Sequence, residues 1–78
     1  MNDFEAIVKR IGLNVKILRT EKGISQREFS RITGINRSYL QQLESGQDVN
    51  PSIKILCIIC DDLEVSLMDL IHKDHQSH

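Results

Sequence analysis

The sequence predicts an all-α domain of five short helices, and three observations carry that prediction. Apolar residues recur at spacings of three and four along the whole chain, and no stretch alternates as a strand would. Glycines and capping residues interrupt the pattern at short intervals, so no helix runs long. The stretch "SQREFSRITGINRSYLQQLESG", Ser25 to Gly46, holds two helical patterns hinged at "TGIN".

In the first helix, over about residues 3–21, Phe4, Ile7, Val8, Ile11, Val15 and Leu18 form one apolar stripe that faces a core. Asn2 with Glu5 has the form of a capping box, and Gly23 in "EKG" supplies the left-handed residue of a helix end. Ser25 with Glu28 opens the second helix, which runs through Phe29 and Ile32 to Gly34. Asn36 caps the third, with Tyr39, Leu40 and Leu43 inward and Gly46 as its close. "QDVNPS" is a loop, because Pro51 disfavours helical geometry at Asn50 and then suits a helix start. The fourth helix covers about residues 52–63, with Ile53, Leu56, Cys57, Cys60 and Leu63 on its inward face. The fifth, about residues 66–71, contributes Leu67, Leu70 and Ile71. Residues 1–72 thus form one domain, and 73–78 a flexible polar tail.

Seventy-eight residues leave no room for a second core. The longest apolar run, "IKILCIICDDL", is broken by charges and is no membrane span, and the opening "MNDFEAIVKR" is acidic where a secretory signal would be basic. A cytoplasmic location is expected, and two cysteines are too few for a disulfide framework. The net charge of -1 conceals a segregation: eight basic residues against two acidic ones from Lys9 to Arg37, and two against six from Gln47 onward. A basic half suits a phosphate-bearing partner, although plain solvated surface has the same look.

Helices of about two turns are marginal alone, so the second and third must be held by packing. Gly34 allows a tight turn that sets them at roughly 90–120°. Counting from Gln26, apolar residues stand at positions four, ten, fifteen and eighteen (Phe29, Ile35, Leu40, Leu43), with small Ser30 at the fifth. This is the layout of a helix-turn-helix.

With these residues in place, the chain resembles the lambda-repressor-like or Cro-like DNA-binding domains, the XRE family. The resemblance covers "LRTEKGISQREFSRITGINRSYLQQLESG" and "NPSIKILCIICDDLEVSLMDL", and extends from about Ile7 to Leu70. It implies a compact five-helix bundle whose third helix enters the major groove of double-stranded DNA. By position it implies Arg37, Ser38 and Gln42 as base readers, with Tyr39 and Gln41 beside them; Tyr39 equally suits an inward place. Gln26 matches the family's glutamine that holds a phosphate and braces the reading residues, and Arg27, Asn36, Ser45 and Gly46 are further phosphate contacts. Arg19 and Glu44 match a partly buried ion pair. Two departures stand out: Phe29 replaces the usual leucine, and "GQDVNP" lacks the basic residues common after the third helix, with Asp48 facing phosphate instead. Modest affinity and a shallow salt dependence follow.

Cys57-x2-Cys60 and His72-x2-His75 approach a zinc pattern, but the histidine spacing is too short and both cysteines fall on the apolar stripe. No metal is expected, and the low-pKa surroundings of a redox cysteine are missing, with Asp61 and Asp62 adjacent. No cofactor motif, small-molecule site or activated nucleophile is present, so an enzyme is not expected. Ile55, Ile58, Ile59, Leu67, Met68 and Ile71 exceed what one core needs and predict a homodimer interface. The expected function is a sequence-specific transcriptional regulator of a palindromic operator, similar to restriction-modification controllers and short phage repressors. The competing expectation is a protein-interaction module, such as an antitoxin or scaffold.

Overall fold

A computed structural model describes residues 3–47 and 49–72. The expected Asn2 cap, Asp48, His75 and the tail 73–78 lie outside the described residues. Five helices follow in order: α1 (Phe4–Glu21), α2 (Gln26–Thr33), α3 (Arg37–Glu44), α4 (Ile53–Leu63) and α5 (Leu67–Ile71). No strand occurs among the described residues.

Local rules set most boundaries. Asp3 caps α1, its carboxylate accepting from the Glu5 and Ala6 amides at 3.0 and 3.3 Å. A negative charge there also complements the helix dipole. At the other end Gly23 takes a φ of +73°, and the Ile24 amide donates to the Arg19 carbonyl while that of Gly23 reaches Thr20. These two bonds close the helix in a Schellman motif. Ser25, Asn36, Ser52 and Ser66 cap the remaining helices as side-chain acceptors. Glu64 ends α4 with a φ of 59°, the only non-glycine among the described residues with a positive φ.

The core joins Val8, Ile11 and Val15 of α1 to Phe29, Ile35, Leu40 and Leu43, and closes with Leu56, Ile59, Cys60, Leu63 and Leu70. Each full burial of such a large side chain contributes roughly 1.5–3 kcal/mol. Helix α1 packs on α3, α4 and α5. Its crossing with α3 is close because of Gly12, where a Cβ would stand 1.8 Å from the Leu43 carbonyl oxygen. Asn14, buried on the same helix, donates to the Leu70 carbonyl at 2.8 Å and ties α1 to the last turn of α5.

Helix α4 sits rotated from the face its sequence predicts. Leu56, Ile59, Cys60 and Leu63 are buried, whereas Ile53 is 65% exposed and Cys57 lies on the surface. Because "IKILCIIC" is apolar almost all round, periodicity could not choose the inward side; packing against α1, α2 and α5 did. Ile59 is therefore core, with 0% exposure, and the expectation that it joins an interface is corrected. Phe4 is also exposed rather than inward.

Candidate nucleic-acid interface

The turn before α3 is built by three short side chains and one glycine. Gly34 takes a φ of +77°, and its amide closes α2 on Ser30 at 2.9 Å. The Ser30 hydroxyl donates to the Ile35 carbonyl, and the Thr33 hydroxyl oxygen accepts from the Ile35 amide at 3.1 Å. The Ser30 and Thr33 hydroxyls thus both engage the backbone of Ile35, whose own side chain is buried. Asn36 then accepts from the Ser38 and Tyr39 amides at 2.8 and 3.3 Å and starts the helix.

Helical spacing places Arg37, Ser38, Gln41 and Gln42 together on the outer side, opposite Leu40 and Leu43. All four are exposed, and among the described residues none of their side chains has a hydrogen-bond or ion-pair partner. Their donors and acceptors are free for another molecule. Tyr39 is turned the other way. It is half-buried against the core with its hydroxyl enclosed, and burial raises its pKa. Its expected part in base reading is corrected, because at helical spacing it falls on the side of Leu40 and Leu43 rather than of Arg37.

A buried polar network holds α3 in position. The Arg19 guanidinium grips Glu44 through Nε and Nη2, both at 2.8 Å, with side-chain exposures of 7% and 2%. Its Nη1 donates to the Ile24 carbonyl at 2.6 Å. Gln26, first residue of α2, donates from Nε2 to Glu44 Oε1 at 2.9 Å. One carboxylate therefore accepts from α1 and α2 at the end of α3 and ties all three helices together. The bracing by Gln26 acts on this ion pair, and one amide hydrogen and its carbonyl remain for a ligand.

The remaining phosphate candidates divide into two groups. Arg27 and Asn36 are exposed at the starts of α2 and α3, and the Asn36 amide group is not used by its cap. At the far end the donors are already used. Ser45 gives its amide to Gln41 at 3.0 Å and its hydroxyl to Gln42 at 3.1 Å, and the Gly46 amide closes on Leu43 at 3.3 Å. Gly46 is thereby corrected as a backbone phosphate clamp: with a φ of +77° it completes the Schellman motif of α3, which turns the amide inward.

Ile55 and Ile58 are half-buried and line, with Ile35, Tyr39 and Lys54, a surface groove of about 460 Å³. Leu67 and Ile71 are half-buried, and Met68 is 62% exposed. Cys57 is exposed and Cys60 buried, which corrects the shared inward stripe expected of them; burial, foremost, lifts the Cys60 thiol pKa. Among the described residues no three histidines, cysteines or carboxylates gather to hold a metal, and no helix is long and apolar enough to cross a membrane.

A bundle with these caps and hinge, carrying an unpaired polar face on its third helix, defines a helix-turn-helix domain. The helix-turn-helix family profile matches residues 15–70, and the chain belongs to that family. It is 39% identical over 64 residues to the antitoxin PezA of Streptococcus pneumoniae serotype 4, across 82% of this chain and 40% of PezA. It is 36% identical over 67 residues to the transcriptional regulator SinR of Bacillus subtilis, across 86% of this chain and 60% of SinR. The chain thus spans about half the length of these relatives. The crystal structure of SinR, the master regulator for biofilm formation, in complex with DNA superimposes with a TM-score of 0.73 at 38% identity, covering 77% of this chain and 95% of that one.

Proposed function

We propose that this chain is the DNA-reading domain of a transcriptional regulator that binds a roughly palindromic operator as a homodimer, with α3 in the major groove. The observation that carries this reading is the outer face of α3, four polar side chains left without partners on a helix locked by the buried Arg19–Glu44–Gln26 network. In this role Arg37 donates two bonds to a guanine, Gln42 pairs with an adenine, and Ser38 and Gln41 contact neighbouring edges. Gln26, Arg27 and Asn36 hold the phosphates that set the register. The likeness to a regulator solved with DNA supports the same assignment.

The apolar surface of Ile55, Ile58, Leu67, Met68 and Ile71 is the proposed dimer face. A two-fold dimer would set its reading helices about 34 Å apart, one turn of DNA. Dimerisation by mass action then makes operator occupancy depend on concentration. Sedimentation that finds only monomer at high micromolar concentration would remove this part.

Selection of bound DNA from a random pool tests the main claim, and Arg37→Ala tests the contact. The substitution should cost ~1–3 kcal/mol on the selected duplex and relax one base preference. A pool that yields no preferred sequence would favour the second reading, a protein-interaction module, for which the likeness to an antitoxin and the net charge of -1 speak.

A further inference from the structure

We propose that Lys9 holds a DNA phosphate beside the C-terminal end of α3, where Ser45, Gly46 and Gln47 have no backbone amide left to give. The proposal rests on the DNA-reading function above and adds a contact outside the segment the family profile matches, since α1 begins at Phe4 and the match at residue 15.

Three observations converge on that point. The backbone amides of Ser45, Gly46 and Gln47 and the Ser45 hydroxyl all donate within the protein: Ser45 to Gln41 and Gln42, Gly46 to Leu43, Gln47 to Gln42 at 3.0 Å. The loop "GQDVNP" that follows contains no lysine or arginine. Across this same terminus runs the stem of Lys9. A Cβ on Gly46 would stand 3.4, 3.9 and 4.0 Å from its Cγ, Cδ and Cε.

The placement of this lysine follows from its neighbours. Val8 is buried in the core, and Phe4, Val8 and Lys9 face Gly46, Gln47 and Val49 across a small cleft of about 40 Å³. The first turns of α1 are thereby fastened to the loop after α3. Gly46 lacks a side chain, so the stem can lie close against the backbone. Lys9 is exposed, and among the described residues it has no ion-pair partner. A strongly hydrated point charge on an apolar stem suits a phosphate, which needs charge rather than a forked donor. Phosphate contacts of this kind add affinity without reading sequence.

Arg10 provides the internal control. It carries the same charge and is also exposed, but it lies about 160° round the helix from Gly12, the residue that touches α3. Diffuse attraction would treat the two cations alike, whereas a contact at Gly46 belongs to Lys9 alone.

The test compares the parent chain with Lys9→Gln, Lys9→Arg and Arg10→Gln by fluorescence anisotropy, on the selected duplex and on an unrelated one, from about 50 to about 200 mM salt. Glutamine keeps most of the stem over Gly46, and circular dichroism checks that each variant is folded. Lys9→Gln should weaken binding to both duplexes by the same factor and make the plot of log K against log salt shallower by about 0.9. Its deficit relative to the parent then shrinks about threefold across that salt range. Lys9→Arg should restore the parent slope, and Arg10→Gln should leave it unchanged. An unchanged slope in Lys9→Gln, or equal effects from Lys9→Gln and Arg10→Gln, overturns the contact while DNA reading stands. A parent chain that binds neither duplex at the lowest salt overturns DNA reading and the contact together.

Discussion

Glu44→Gln isolates what the buried network contributes, because it removes one charge and keeps the shape. Arg19 would keep its bond to the Ile24 carbonyl but face an amide where a carboxylate had accepted two bonds. With side-chain exposures of 7% and 2%, water cannot replace the lost partner. Stripping one partner from a buried pair costs about 3–5 kcal/mol. A domain of this length has a stability of roughly 4–12 kcal/mol, so a quarter of it or more would go. Urea denaturation followed by circular dichroism measures the change. With a slope of about 1 kcal/mol/M, the midpoint should fall by ~3 M or vanish into an already unfolded baseline. The paired change Arg19→Met with Glu44→Leu removes both charges and should recover most of the loss, since an apolar pair is often as stable as the ion pair it replaces. A loss below ~0.5 kcal/mol in Glu44→Gln would refute the argument, because such a value belongs to exposed pairs.

Three further outcomes follow from the packing. Gly12→Ala drives a methyl group into the Leu43 carbonyl, and despite alanine's better helix propensity it should lower stability by ~1–3 kcal/mol in the same urea assay. Glu64→Gly relieves a left-handed residue at the end of α4; after glycine's own entropy cost and the loss of a weak exposed pair with Lys22, the gain should be at most ~0.5 kcal/mol, read as a rise in Tm of up to about 4 °C. Thiol titration should find one fast cysteine and one slow one. Cys57 is exposed, while burial shields Cys60 from the reagent and raises its pKa, so Cys57→Ser should abolish the fast phase.

Five helices, their order and most of their ends could be read along the chain, since caps and stops act over four residues or fewer. Ser25 and Asn36 cap as their residue types require, and Gly34 takes the left-handed angle that its place in "TGIN" demands. The outward set Arg37, Ser38, Gln41 and Gln42 was equally legible, because helical spacing alone separates it from Leu40 and Leu43. What lay beyond such rules was any choice between neighbours distant in the chain. Asn14 meets Leu70 across 56 residues and Arg19 meets Glu44 across 25. The second pair was anticipated only through resemblance, and the first not at all. Where a segment is apolar almost all round, as "IKILCIIC" of α4 is, periodicity supports several faces equally, and contact with α1, α2 and α5 selected Ile59 over Cys57. Gly46 and Lys9 show the same division: a glycine after "LES" announces a helix end, but only the folded chain turns its amide inward and lays a lysine stem across it. Secondary structure here is a matter of bonds between near neighbours, whereas the donors left free on the outer face of α3 are those that tertiary packing did not consume.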